Sequence, residues 1–459
     1  MKSSPSPTGS ARGALLLVLV LAVSALLGGI YGPAVRATAA GSDDLEDSVR
    51  SFTHVLSIVE QNYADPVDSD KAIYDGAIPG MLHVLDPHSN FFDPKQYALF
   101  REEQEGKYYG VGMVVTQREN QTVVQSPFVN SPAYKAGIRP GDIILKVDGK
   151  SCTGLTTTEV ADMLKGAKGT PVRISLGREG WDKPIEVTVV RDEIPRPGVE
   201  FFTMVRPGIG YVRVSTFNET TDSDLADALR HLDSAKLEGL IIDLRNNGGG
   251  LLKQAVGMAD MFLDKNELVV SHRGRASSER RYYADRGNQG LALPLVVLVN
   301  GQSASASEIV SGAIQDHDRG LIVGEISFGK GLVQTQFQVG SDTALLLTTA
   351  RYYTPSGRSI QAKGIVPDIV VDDPSSSSAN AFHLREADLE HHLINDRQPT
   401  DTAAPKDKKP ENSDDNKLED APGQDKEDRM KPTEFGGKDD YQLTQALNLL
   451  KGLNILSKK

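Results

Sequence analysis

The stretch Ser303-Ala-Ser-Ala-Ser-Glu308 has the residue types and the position to carry a nucleophilic serine. It follows a predicted buried strand, 293–299, and a glycine turn, and a helix is predicted from 305 to 316. A hydroxyl at a helix N-terminus lies beside free backbone N–H groups and the positive end of the helix dipole, which stabilise an oxyanion. The same residues also fit a capping box between Ser305 and Glu308, which requires no catalysis. The stretch alone leaves both interpretations open.

A nucleophilic serine needs a general base, and the nearest histidine is badly placed. His317 lies twelve residues after Ser305 on the same predicted helix, which separates them by about 18 Å at the rise of an α-helix. It is better interpreted as a favourable charge near a helix C-terminus. The histidines and the lone cysteine also lack the spacing of a metal site. We therefore predict neither a metal nor an organic cofactor.

Lys330, in Gly324-Glu-Ile-Ser-Phe-Gly-Lys-Gly331, is the alternative base. Its flanking glycines let the backbone turn sharply and direct the amine into a packed site. To be neutral near pH 7 the amine needs a pKa far below its ordinary value of about 10.4, which requires burial without a carboxylate partner. Gln334, four residues on in a predicted strand, is placed to orient the amine. An exposed loop lysine and a solvent-facing glutamine are the alternatives.

A glycine-rich turn, Asp243-Leu-Arg-Asn-Asn-Gly-Gly-Gly250, follows the predicted buried strand 240–244 and precedes a helix. Backbone N–H groups in such a turn can bind an anion. The Gly-Lys-Ser/Thr sequence of a phosphate loop does not follow. An oxyanion hole therefore fits this turn better than a nucleotide.

The elements that must position these residues alternate between strands and helices from about 209 onward, which predicts an α/β core with parallel pairing. Short strands with turn signals before it predict an independent small domain of about 85 residues. The predicted organisation is a signal peptide or membrane anchor (1–40), a helical region (43–106), the small domain (107–191), the core (192–375), a polar helix near 384–393 with a charged linker (376–440), and a C-terminal helix (441–459).

Composition restricts the class of protein. The 459 residues carry 50 Lys and Arg against 62 Asp and Glu, a net charge of −12, which argues against nucleic-acid binding. The lone Cys152 excludes a disulfide scaffold.

The N-terminal segment predicts an export signal, because it has a basic start, the apolar run 14–30 and Ala37-Thr38-Ala39. That run also reaches the lower length limit of a membrane span, so cleavage and anchoring stay open. Either outcome predicts an extracytoplasmic protein, in the periplasm or on the outer face of the cytoplasmic membrane.

Taken together, these motifs resemble those of the carboxyl-terminal processing peptidases, or tail-specific proteases, which are serine peptidases with a Ser/Lys dyad. The resemblance runs in order from about 50 to 372. Its motifs are Gly110-Val-Gly-Met113, Ala136-Gly-Ile-Arg-Pro-Gly-Asp142, Asp243 to Gly250, Ser303 to Ile309, Phe328-Gly-Lys-Gly-Leu-Val-Gln334, Tyr353-Thr-Pro-Ser-Gly-Arg358 and Gly364-Ile-Val-Pro-Asp368.

This resemblance implies a crotonase-like α/β peptidase core with an inserted PDZ domain. It makes Ser305 the nucleophile, Lys330 the general base and Gln334 the residue that holds the lysine. The oxyanion hole would use the N–H groups of Ala306 and Gly249. Many relatives carry proline where this chain has Gly248, which leaves the choice of glycine open.

The predicted PDZ domain would bind a peptide C-terminus. Its loop, Gly110, Val111, Gly112 and Met113, can present N–H groups to a terminal carboxylate, and the strand 113–116 offers an edge for strand addition. We therefore predict an endopeptidase that selects proteins with apolar C-terminal tails, with a regulatory or adaptor protein as a further partner. A catalytically silent PDZ scaffold and a crotonase-like acyl-CoA enzyme are the alternatives.

The apolar faces of the terminal helices (43–60 and 441–453) suit pairing in a homo-oligomer.

Overall fold

The computed structural model describes residues 44–232, 237–288, 291–374, 384–396, 435–437 and 439–457. The predicted export segment (1–40) and the predicted linker between 397 and 434 lie outside these residues. Within the described ranges, no helix is both long and apolar enough to cross a membrane. The chain divides after Ile78 into two compact units, which we describe separately.

The first unit is helical where the sequence predicted helices. Helix α1 spans 44–62, and α2 (Ser69–Lys71) continues into a π-helical turn, Ala72–Ala77. The apolar side chains predicted to form one face of α1, among them Val49, Phe52 and Val55, are exposed. Pairing of α1 between subunits stays a prediction.

The second unit begins within α3 (Ile78–His83), which with α4 (Pro94–Glu105) lies in the predicted helical region 43–106. Between them lies a short strand that the sequence did not predict, β1 (Asn90–Phe92). The elements of the small domain follow as β2 (Lys107–Gly110), β3 (Met113–Arg118), β4 (Gln121–Pro127), α5 (Pro132–Lys135), β5 (Ile143–Val147), β6 (Lys150–Ser151), α6 (Thr157–Leu164), β7 (Pro171–Gly177), β8 (Ile185–Val190) and β9 (Asp192–Pro195). Antiparallel pairing orders the sheet β3-β4-β5-β7-β8, and β2 pairs with β9. Its apolar residues form a separate core that includes Val124, Ile144 and Val172.

The larger domain has the predicted alternation of strands and helices. Its elements are β10 (Val199–Arg206), β11 (Ile209–Val214), α7 (Thr221–His231), β12 (Gly239–Asp243), α8 (Leu252–Asp260), β13 (Leu268–Arg273), β14 (Arg280–Tyr283), β15 (Leu295–Val299), α9 (Ala306–Asp316), β16 (Leu321–Gly324), β17 (Leu332–Gln338), β18 (Ala344–Tyr353), β19 (Ile369–Val370) and α10 (Tyr441–Ser457). One sheet has the order β10-β11-β12-β15-β16-β19. Its strands from β11 onward pair in parallel, which confirms the predicted α/β class.

A second, antiparallel sheet packs beside the parallel one. Its order is β1-β18-β13-β14, and β17 pairs with β18. Helices α8 and α9 lie in the main core between the two sheets, where Met258, Ile309 and Ile314 are buried with Val297 and Tyr352. The strands that precede and follow the nucleophile candidate are therefore held in one apolar core.

The prediction of a polar helix near 384–393 is wrong. The structure has only a 3-10 turn there, Glu386–Asp388. Glu386 is fully buried, and its backbone N–H donates to the carbonyl of Phe328 at 3.2 Å. Tertiary contacts therefore hold this segment against the core, where a solvent-facing helix cannot lie.

The C-terminal helix α10 packs on the other face of the parallel sheet. Its Leu443, Ala446 and Leu450 are buried against that face. Next to them, the fully buried Arg245 donates from Nη2 to Asp243 Oδ2 and to Asp440 Oδ2, both at 2.6 Å. The end of the chain thus holds the start of the glycine-rich turn in place.

Replacing Asp440 with alanine is expected to lower the free energy of unfolding by about 3 kcal/mol, because it leaves the buried Arg245 guanidinium short of a partner. The neighbouring Asp439 is exposed, so Asp439→Ala is the matched control and should change stability by less than about 0.5 kcal/mol. Urea denaturation of both variants measures the difference. Equal midpoints for the two would contradict the proposed role of this ion pair.

Candidate active site

Ser305 occupies the turn between β15 and α9, directly before the first helical residue. Its φ of 53° and ψ of −109° are rarely adopted by a residue with a side chain. Ser303 and Ser307 are fully buried and donate to the carbonyls of Leu244 and Asn247 at 2.8 and 2.9 Å. Ser305 is only partly buried. Of the three serines in this stretch, it is therefore the one placed to meet a substrate, in a backbone conformation of the kind that clusters at functional sites.

The fully buried Glu308 joins the Ser305 turn to the Lys330 loop. Its Oε2 accepts the backbone N–H groups of Ser305 at 2.8 Å and of Lys330 at 2.9 Å. Its Oε1 accepts the N–H of Gly329 at 2.7 Å and the hydroxyl of Ser327 at 2.5 Å. Burial raises the pKa of Glu308 to about 7, while these four donors act to lower it. One carboxylate thus fixes the two segments side by side.

Lys330 lies in a partly buried position beside a cavity of about 480 Å³. Burial lowers the pKa of its amine from the ordinary value, although the carboxylates of Glu386, Asp86 and Glu308 oppose that shift. Nζ donates to Gln334 Oε1 at 3.0 Å, so its partner there is a neutral amide. The predicted lysine and glutamine are therefore in contact, and the amine is shifted towards its neutral form.

The glycine-rich turn lies directly against the Ser305 turn. Gly249 has a φ of 99°, and a Cβ at this position would lie 2.7 Å from the carbonyl oxygen of Ala304, 2.8 Å from Ser305 Cβ and 2.9 Å from the nitrogen of Ala306. The structure thus brings together both residues predicted for the oxyanion hole.

The N–H of Gly249, however, is already engaged, because it donates to Asn247 Oδ1 at 2.9 Å. Gly248 is exposed and lines the cavity together with Lys330. Gly249 adjoins Ser305, and Gly248 lines the cavity beside Ala304 and Lys330, so the donor of the second oxyanion hydrogen bond stays a prediction.

The loop predicted to bind a peptide carboxylate leads into β3. Its residues Gly110, Val111, Gly112 and Met113 are buried. The carbonyl of Val111 accepts from the N–H of Ala133 at 2.8 Å, and that of Gly112 accepts from the N–H of Phe128 at 3.0 Å. Because β3 is an edge strand of its sheet, its free side is available for strand addition.

Some residues around Lys330 were missed by the sequence reasoning. Asp86, His88, Gln361 and Glu386 were given no role in the site. The Gln334 amide donates from Nε2 to the carbonyl of His88 at 2.6 Å, and His88 Nε2 lies 2.7 Å from Glu386 Oε2.

The structure places His317 as the sequence suggested, at the C-terminal end of α9. Its Nε2 donates to the carbonyl of Leu268 at 2.7 Å. Over the described ranges of the chain, no group of three or more His, Cys, Asp or Glu side chains is arranged to hold a metal ion.

Comparison with known proteins identifies both domains. The profile of peptidase family S41 matches residues 208–371, and that of the PDZ domain matches 123–178. The carboxy-terminal-processing protease of Bartonella bacilliformis is 44% identical over 349 residues, which cover 74% of this chain and 80% of that protein. The carboxy-terminal processing protease CtpA of Bacillus subtilis is 36% identical over 317 residues, or 69% of this chain and 67% of the relative.

Among solved structures, the photosystem II D1 C-terminal processing protease is 34% identical to this chain. The match covers 70% of this chain and 92% of that protein, with a TM-score of 0.40.

Proposed function

The chain belongs to the carboxy-terminal processing proteases of peptidase family S41, which are serine-type peptidases with a PDZ domain, and from this we propose that it cleaves proteins near their C-terminal tails by Ser/Lys acyl-enzyme chemistry. The observation that carries the proposal is the shared Glu308 carboxylate, because its Oε2 binds the backbone of both Ser305 and Lys330. A nucleophile and a base whose backbones share one hydrogen-bond acceptor are held as neighbours.

In the proposed reaction, the neutral Lys330 amine takes the proton of the Ser305 hydroxyl as the oxygen attacks the scissile carbonyl. The N–H of Ala306 and that of Gly248 or Gly249 stabilise the oxyanion. The protonated lysine then gives its proton to the leaving amine, which departs with the C-terminal fragment. Lys330 next takes a proton from water as the water attacks the acyl group. It then returns that proton to the Ser305 oxygen as the acyl bond breaks, which frees the acid product and restores the Ser305 hydroxyl and the neutral amine.

The PDZ domain supports selection of substrates by their C-termini. PDZ domains bind a peptide tail by strand addition at an exposed edge, and β3 is such an edge. We propose that apolar tails are preferred and that the protein acts outside the cytoplasm, as the predicted export segment suggests. A catalytically silent scaffold would use the same edge, but the strained Ser305 backbone and the lowered pKa of Lys330 favour an enzyme.

The test is cleavage of an unfolded reporter that ends in an apolar tail, beside a matched reporter whose last residues are charged. We expect cleavage of the first and slower cleavage of the second, since the charged tail loses its apolar contacts in the PDZ groove. Binding of both reporters with no cleavage of either would favour the scaffold.

The pH dependence of cleavage follows from the lowered pKa of Lys330. Only the neutral amine accepts a proton, so kcat/KM should rise with pH and level off above the pKa of Lys330. The midpoint of the rise should lie below the ordinary lysine value of 10.5. Initial rates of reporter cleavage across pH give the profile, and a rate that falls as pH rises through this region would contradict a lysine base.

A further inference from the structure

The segment 384–396 lies outside the matched peptidase profile, which ends at residue 371, yet it is built into the site. Leu384 lines the same cavity as Lys330. Arg385 Nη2 donates to the carbonyls of Lys363 at 2.6 Å and Ser327 at 3.2 Å. The segment is therefore fixed to the loop that leads into the proposed general base.

Glu386 is the centre of these contacts. Its side chain is fully buried. Oε1 accepts from Gln361 Nε2 at 2.8 Å, and Gln361 in turn accepts the backbone N–H of Gly331 at 2.9 Å. Oε2 lies 2.7 Å from His88 Nε2. A buried carboxylate of this kind persists only where donors compensate its charge, so Glu386 and its partners form one hydrogen-bonded group.

The His88 end of this group decides which way the Gln334 amide faces. The His88 carbonyl can only accept, so the NH₂ group of Gln334 must face it, at 2.6 Å. The amide oxygen of Gln334 is thereby turned to Lys330 Nζ, at 3.0 Å. Displacement of His88 would free the amide to rotate and would present NH₂ hydrogens to the amine in place of an acceptor.

We propose that Glu386 is a positioning residue for the peptidase reaction, which acts through His88 and the Gln334 amide to hold the Lys330 amine in line with Ser305. The proposal rests on the proposed Ser/Lys function. It makes activity dependent on a segment that follows the peptidase domain as its profile defines it.

Glu386 also contributes charge at the site. Among the described residues, the charged groups that act on Lys330 are Glu386, Asp86 and Glu308, and the titratable His88 lines the same cavity. A nearby carboxylate favours the protonated amine. Removing the charge of Glu386 should therefore let Lys330 lose its proton at lower pH.

The test compares Glu386→Ala, Glu386→Gln and the matched control Glu390→Ala, whose side chain is exposed in the same segment. Glu386→Ala should lower kcat of reporter cleavage by about 10- to 100-fold with KM nearly unchanged, because the amine is misplaced while the substrate groove is intact. Glu386→Gln should retain most of the wild-type kcat. Its amide can accept from Gln361 and donate to the other tautomer of His88.

The pH profile separates positioning at the site from a general structural role. In Glu386→Gln the acidic limb of kcat/KM should move to lower pH, whereas Glu390→Ala should keep the wild-type profile. If Glu386→Ala does not fold, the pH profile of Glu386→Gln alone tests the proposal. An unmoved limb in that variant, or full activity of a folded Glu386→Ala, would overturn the proposal. Failure of the wild-type protein to cleave would instead overturn the proposed function.

Discussion

Replacing Ser305 with alanine is expected to abolish cleavage of the tailed reporter, with a fall in kcat of about 10⁴- to 10⁶-fold, because removal of a nucleophile leaves only the catalysis due to binding and the oxyanion hole. Lys330→Ala should have an effect of similar size, since the two residues act as a unit. Both variants should fold, because Ser305 and Lys330 are only partly buried. Reporter cleavage and thermal melting measure the two properties.

Lys330→Arg separates a base from a structural cation. Arginine keeps the positive charge but cannot be deprotonated in proteins, so this variant should be as inactive as Lys330→Ala. The matched controls are Ser341→Ala and Lys265→Ala, both at exposed positions of the same domain. These controls should cleave at the wild-type rate. Substantial cleavage by Lys330→Arg would contradict the proposed role of the amine.

Replacing Gly249 with alanine is expected to lower kcat at least about 100-fold, because the added Cβ must displace the Ser305 turn. It would lie within 2.9 Å of Ala304 O, Ser305 Cβ and Ala306 N, and the positive φ of Gly249 adds backbone strain. Reporter kinetics together with a melting curve distinguish a displaced site from a misfolded protein.

The neighbouring Gly248 supplies the control for this prediction. A Cβ there meets nothing within 4 Å, so Gly248→Ala should retain near-wild-type kinetics. Gly248→Pro also removes the N–H group. Retained activity in that variant would assign the second oxyanion hydrogen bond to Gly249, whereas a loss of kcat in a folded Gly248→Pro protein would assign it to Gly248. Equal kinetics for Gly249→Ala and Gly248→Ala would contradict the close approach of Gly249 to the Ser305 turn.

The local part of the site was predictable because its signals are local. The apolar strand before Ser305, the glycine turn and the small-residue helix start predicted a strand–turn–helix junction, and the structure has one between β15 and α9. Glycines on both sides of Lys330 predicted a sharp turn. A Cβ on Gly331 would lie 2.6 Å from the backbone nitrogen of Gln361, which explains why glycine stands there.

The long-range part of the site was not predictable from the sequence pattern. His88 and Gln334 are 246 residues apart in the chain, and His88 and Glu386 are 298 apart. No period or spacing rule links single polar residues over such separations. The same limit explains the wrong helix near 384–393, where the local pattern suits a polar helix but the buried Glu386 requires an irregular turn.

Covalent labelling of the full-length protein with a fluorophosphonate probe, followed by peptide mass spectrometry, tests the central claim most directly. A single adduct on Ser305 is expected in the wild-type protein and in Ser341→Ala. Lys330→Ala should label far more slowly, because its serine has lost the base that activates it. Labelling of another residue, or equal labelling rates with and without the Lys330 amine, would contradict a serine nucleophile activated by Lys330.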